Sequence, residues 1–298
     1  PRARRLASVA NALVEVVAGQ GSPSFSCSAA QIYAQGMTAL EGTILRKTGD
    51  TTEVNESLGT QVALLEVLSE AIPFVEPAQI IVATLAVPSR VLRSMVSFCQ
   101  SVDATALDTE DELGGVSAVL RSIAKTCGQI AIKLHGTKPD LKILQQLWKG
   151  TLLVLISDTR PKVRKAASSA ILEVLADERC LPAIQNTTTA FLTTSLKQAH
   201  KQVQSDSTKD IGMILPIVAF LERAIIQMKS AKVLVDVMEL LIVLLQSETE
   251  AMTGANTTTL TTDFVAITKQ KKRSDGGTPL LVVNALMGVI RAALEDSE

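Results

Sequence analysis

Apolar residues recur along this chain at helical spacing. Between 160 and 176, Val163, Ala166, Ala167, Ala170, Ile171, Val174 and Leu175 fall at i, i+3, i+4, i+7, i+8, i+11 and i+12. That is one face of an α-helix. Leu58, Val62, Leu65, Leu68 and Ile72 repeat the habit, as do Leu113, Val116, Val119, Leu120, Ile123, Cys127, Ile130, Ala131 and Leu134. No stretch sustains apolar–polar alternation between hairpin turns, so the pattern predicts an all-α protein.

The punctuation between these stripes is regular. Breaks are expected at 48–57, 72–77, 107–115, 135–140, 157–161, 178–182 and 204–210, where proline, glycine and small polar residues gather. The strides are about 20 residues, so a helix pair takes about 40, the period of HEAT and armadillo arrays. The expected architecture is a single α-solenoid over 1–298, of about six to seven helix pairs, each burying its apolar face on its neighbours. The polar stretch 247–279 is expected to be a mobile loop. Trp148 shares a stripe with Leu141, Leu144, Leu147 and Leu152 and is expected in the core. Because the chain opens on Pro1 rather than methionine, it reads as a fragment of a longer protein.

Composition sharpens this picture. Apolar residues make up 47% of the chain and aromatics only 3%, so the core is aliphatic and suits close helix packing. A formal net charge of −1 restricts any nucleic-acid contact to local patches. Cys27, Cys99, Cys127 and Cys180 form no CxxC pair; they read as reduced, mostly buried thiols of an intracellular protein, not as a disulfide framework or zinc site. The longest apolar runs, 211–221 and 233–245, are short or interrupted by Asp236 and Glu239. Neither reaches the roughly 20 residues of a membrane span, so no membrane partner is expected.

The stretch "SDTRPKVRKAASSAILEVL" (157–175) concentrates charge at the start of a helix. Thr159 is placed to be its N-cap and Pro161 its first turn. Val163, Ala166 and Ala167 turn inward, the small alanines allowing close approach. Lys162, Arg164 and Lys165 gather at the turn, where cations oppose the helix dipole at a cost of some tenths of a kcal/mol each. Arg160, Lys162 and Lys165 are therefore candidate contacts for phosphate or an acidic partner.

Asp158, with Val163 and Arg164 five and six residues on, has the spacing of the HEAT-repeat signature. With "SEAIPFVEP" (69–77), "SFCQSVDA" (97–104), "VSAVLRSIAKTCGQ" (116–129), Leu147-Trp148 and "LPAIQNTTTAFLTTSL" (181–196), the chain resembles the N-terminal region of the ribosomal RNA-processing protein twelve family. The resemblance spans about 58–245 and is strongest at 116–196; Ser168 stands where members commonly carry glutamine. It implies a non-enzymatic nucleolar and nuclear HEAT scaffold that shuttles to the cytoplasm. Its partners would be pre-rRNA, ribosome-assembly factors of small-subunit precursors, the GTPase Ran and nuclear pore proteins. It also implies that Asp158 and Arg164 take part in a side-chain ladder between adjacent repeats. An importin-type transport receptor is the alternative on the same architecture, followed by other HEAT-repeat interaction scaffolds such as tubulin-binding arrays.

Catalytic chemistry finds little footing. His135 and His200 are expected on the solvated surface, and "DTEDE" (108–112) lacks the glycine of a calcium loop. No cofactor, metal, small-molecule substrate or enzymatic activity is expected. A second basic cluster, Lys269, Lys271, Lys272 and Arg273, and a third at Arg2, Arg4 and Arg5 are candidate RNA or targeting segments. Without interleaved aromatics they favour phosphate contact over base stacking.

Overall fold

The structure, a computed structural model, describes residues 28–44, 51–82, 90–101, 115–135, 137, 141–204, 214–228, 230–253 and 277–295. Among these residues every regular element is helical. The chain divides into two compact units, 1–187 and 188–298.

The first unit contains α1 (Ala29–Ile44), α2 (Thr51–Ala71), a 3-10 turn (Ile72–Phe74), the single turn α3 (Pro77–Ile80), α4 (Arg90–Ser101), α5 (Val116–Lys133), α6 (Leu141–Gly150), α7 (Leu152–Ile156) and α8 (Pro161–Ala176). Helix α9 (Pro182–Gln204) begins in it. Two rows are formed. Helices α2, α5 and α8 pack side by side; α4 packs against α1 and against α6 and α7. Contacts of α1 with α2, and of α7 with α5 and α8, tie the rows together. This arrangement is compatible with an α-solenoid.

Position in the rows explains which apolar faces are buried. Helix α5, with α2 on one flank and α8 on the other, buries Val119, Leu120, Ile123, Cys127 and Ile130 and also Ser122, Thr126 and Gly128. Small residues set the spacing: a Cβ on Gly128 would lie 3.0 Å from the Ala170 Cβ of α8. Helix α8 buries Val163, Ala167, Ala170, Ile171, Val174 and Leu175, and each large aliphatic side chain removed from water stabilises by about 1.5–3 kcal/mol. Ala166 is only half-buried, because Ala167 and Ala170 occupy the contact line. A polar seam joins α2 to α5. Lys125 reaches Glu66 and Glu70 at 3.0 and 2.9 Å, and Ser122 donates to Glu66. Partial burial would lower the Lys125 pKa, but its hydrogen bonds to Glu70 and Glu66 outweigh it and raise the value.

Helices α6 and α7 are one apolar stripe broken by a single residue. Thr151 adopts φ −118°, ψ −82°, and its hydroxyl donates to Leu147 O at 2.7 Å; such back-bonding bends helices. Leu144, Leu147, Trp148 and Leu152 are buried as expected, whereas Leu141 is 48% exposed at the helix start.

The second unit holds α10 (Leu215–Met228), α11 (Ala231–Thr253) and α12 (Gly277–Glu295) with the later part of α9. Helix α12 packs against both α10 and α11. Two boundaries differ from expectation. The break at 48–57 ends earlier, since α2 is helical from Thr51, and the 247–279 stretch is helical up to Thr253 and again from Gly277. Polarity misleads at both places because it does not exclude helix: Glu, present in both stretches, is a good helix former. No described helix is long and apolar enough to cross a membrane.

Candidate functional site

The turn joining α7 to α8 is built on Asp158. Its Oδ1 accepts from the Arg160 backbone N–H at 2.9 Å and from Arg160 Nε at 2.8 Å, while Oδ2 accepts from Nη2 at 2.7 Å. An aspartate bonding backbone two residues on is a turn-former, and the bidentate guanidinium adds charge-assisted bonds. Partial burial pushes the Asp158 carboxyl up, but Arg160, with Arg164 nearby, holds it below its ordinary value. The N-cap of α8 is consequently Arg160 in extended backbone, with no side-chain cap, and not Thr159. Asp158 organises the helix entry from one residue further out.

Arg164 also departs from expectation. Its Nη1 donates to the carbonyls of Asp158 and Thr159 at 2.8 and 2.7 Å. Among the described residues Asp158 and Arg164 thus make their closest contacts within their own turn. Asp158 is saturated locally by Arg160, and Arg164 folds back on the turn's carbonyls. Pro161 sits at the first helical turn and Val163 is fully buried, as expected.

This geometry separates the candidate contacts. Arg160 is ion-paired to Asp158, and its side chain is only 12% exposed. Lys162 and Lys165 are exposed, and no acidic residue stands in the first turn of α8. Their charge adds to the partial positive charge of the helix start instead of cancelling it. From 116 to 187 the chain carries eleven Lys and Arg against five Asp and Glu, a net of +6 in a chain whose total is −1. Lys269, Lys271, Lys272 and Arg273, with Arg2, Arg4, Arg5, Cys27 and the acidic 108–112 stretch, lie outside the described residues.

A second Asp-x-Arg turn follows α8. Asp177 accepts from the Arg179 backbone N–H at 2.9 Å, Nε at 3.1 Å and Nη2 at 2.9 Å. Its carboxyl is held far below the ordinary range, first by Arg179 and then by His135. His135 itself overturns the expectation of a solvated surface residue: its side chain is fully buried, with Nδ1 3.0 Å from Asp177 Oδ2. Nε2 has no hydrogen-bond partner among the described residues. The repetition of Asp158-Thr-Arg160 as Asp177-Glu-Arg179, each shortly before a proline, was the legible sign of both turns. His200 is half-buried within α9.

Nucleophilic and metal chemistry have little to build on among the described residues. Burial pushes the Cys180 thiol up to about 11, helped by Asp177, and the Cys127 thiol up to about 12 despite the polar contact with Thr151. Burial raises Cys99 further, with Cys127 and Asp158 adding to it. Such thiols stay protonated and unreactive at neutral pH. No group of three or more His, Cys, Asp or Glu is placed to hold a metal ion among the described residues. No family model matches the chain, and no curated protein or solved structure is significantly similar to it.

Proposed function

We propose that this chain is a non-enzymatic helical-repeat scaffold of ribosome biogenesis. It binds small-subunit precursor particles and assists their processing and export, working in the nucleolus and nucleus with shuttling to the cytoplasm. The observation that carries the binding part is the pair of exposed lysines, Lys162 and Lys165, near a helix start with no acidic residue in its first turn, within the +6 segment 116–187. Lysines so placed contact phosphate without reading bases. The ribosomal part rests on the sequence resemblance at 116–196 alone, and the partners it brings are pre-rRNA, assembly factors, Ran and nuclear pore proteins.

The test is affinity purification of the tagged protein from nuclear extract, with and without RNase, followed by sequencing of the bound RNA. Enriched small-subunit precursor rRNA, with assembly factors released by RNase, is the expected result. Recovery of Ran and cargo without precursor rRNA overturns the proposal in favour of an importin-type receptor.

A further inference from the structure

Helix α11 turns an apolar row to solvent. Val235, Met238, Ile242 and Leu245 are 53%, 47%, 51% and 45% exposed. Their spacing of three, four and three puts them on one face and is that of a helix–helix seam. The other face, through Val233, Val237, Leu240 and Leu244, is buried, and α12 packs on this helix. Single exposed apolar side chains need no explanation, but a continuous row marks a docking surface.

We propose that a second copy of this chain docks antiparallel on this row. The reason is its flanking charge. Ala231, Lys232 and Glu239 are also exposed. Lys232 and Glu239 are seven residues apart, so they border the row on the same side, at opposite ends of its first half. A two-fold axis perpendicular to two antiparallel helices reverses their order while keeping that side in register. Setting Val235 against Met238 of the second copy, and Ala231 against its Ile242, brings each Lys232 to Glu239 of the other chain. The pairing is made twice, and no like charges face each other there. In a parallel pair the flanks exchange sides, and Lys232 meets the Leu234 and Leu241 side instead. In this register the paired stretch runs from Ala231 to Ile242, with Leu245 beyond it, and the charge pattern suits a second copy in this direction, independently of the proposed ribosomal role.

The contact is small against the roughly 1,600 Å² of a standard interface, so dissociation on the order of 100 µM is expected. Sedimentation equilibrium of the full chain, from about 5 to 500 µM to bracket that value, should show the mass rising from 31.7 kDa toward the dimer. Val235→Gln and Met238→Gln should each weaken association about tenfold. Lys232→Glu and Glu239→Lys should each weaken it about threefold, and the double exchange should restore it. All four positions are exposed, and circular dichroism checks that helix content is unchanged. A monomer at every concentration, or association indifferent to the row, overturns the proposal. A double exchange no better than either single one overturns the antiparallel register.

Discussion

Asp158 carries more than any other single side chain at the α7–α8 turn. It holds the Arg160 backbone and guanidinium together, so Asp158→Asn should destabilise the protein by about 1–3 kcal/mol in urea denaturation. The pH sign follows from its lowered pKa. A depressed carboxyl contributes stability that is fully present above its ordinary value of about 4 and is lost as pH falls through the folded value. The difference in Tm between wild type and Asp158→Asn should therefore be constant near neutrality and shrink toward pH 2; a difference that persisted there would contradict the ion pair. His135 supplies a sharper contrast. As a solvated loop residue it would tolerate alanine within about 0.5 kcal/mol. Buried against Asp177, His135→Ala should instead cost about 1–3 kcal/mol.

Close helix approach is decided at glycine. A Cβ on Gly150 would lie 2.5 Å from Val96 Cγ1, so α6 and α4 have no room for a methyl group. Gly150→Ala should destabilise by about 1–3 kcal/mol, despite alanine's better helix propensity. Adding Val96→Ala should recover part of that loss, and a double-mutant cycle measured by thermal denaturation would show coupling. Additive effects would mean that the helices do not touch there. At this scale the sequence was readable where breaks carry proline. The ends at Ile156, Pro161, Ala176 and Pro182 coincide with the expected turns at 157–161 and 178–182. It is unreadable where polarity is the sole sign of a loop, as at 51–57 and 247–253, since polar residues such as Glu also form helix readily.

For the whole molecule, the proposed polyanion contact separates from stability. Lys162→Glu with Lys165→Glu replaces two cations near the start of α8 with anions, which the helix dipole favours in the first turn, so helix content and stability should not fall. The same pair should weaken binding to structured RNA and lower the slope of log affinity against log salt by about two contacts. Unchanged affinity and slope would remove these lysines from the interface. A fall in both stability and binding would point to misfolding instead.

The amino-acid sequence by itself determined that the described residues are helical, where the helices flanked by proline begin, and that the start of α8 is basic. These properties follow from apolar periodicity, proline geometry and charge along neighbouring residues, all of which are local. Only the tertiary structure decided how far each cation is exposed. Arg160 and Arg164 fold back on the turn, whereas Lys162 and Lys165 stand exposed, and spacing alone does not tell them apart. The same holds for His135, whose partner Asp177 lies 42 positions along the chain and meets it only because the ends of α5 and α8 come together. The α11 row is the converse case. Its pattern is that of any buried stripe, and only the packing of α12 leaves one side of the helix open to solvent. Burial and pairing are properties of neighbours in space, which periodicity along one helix does not encode.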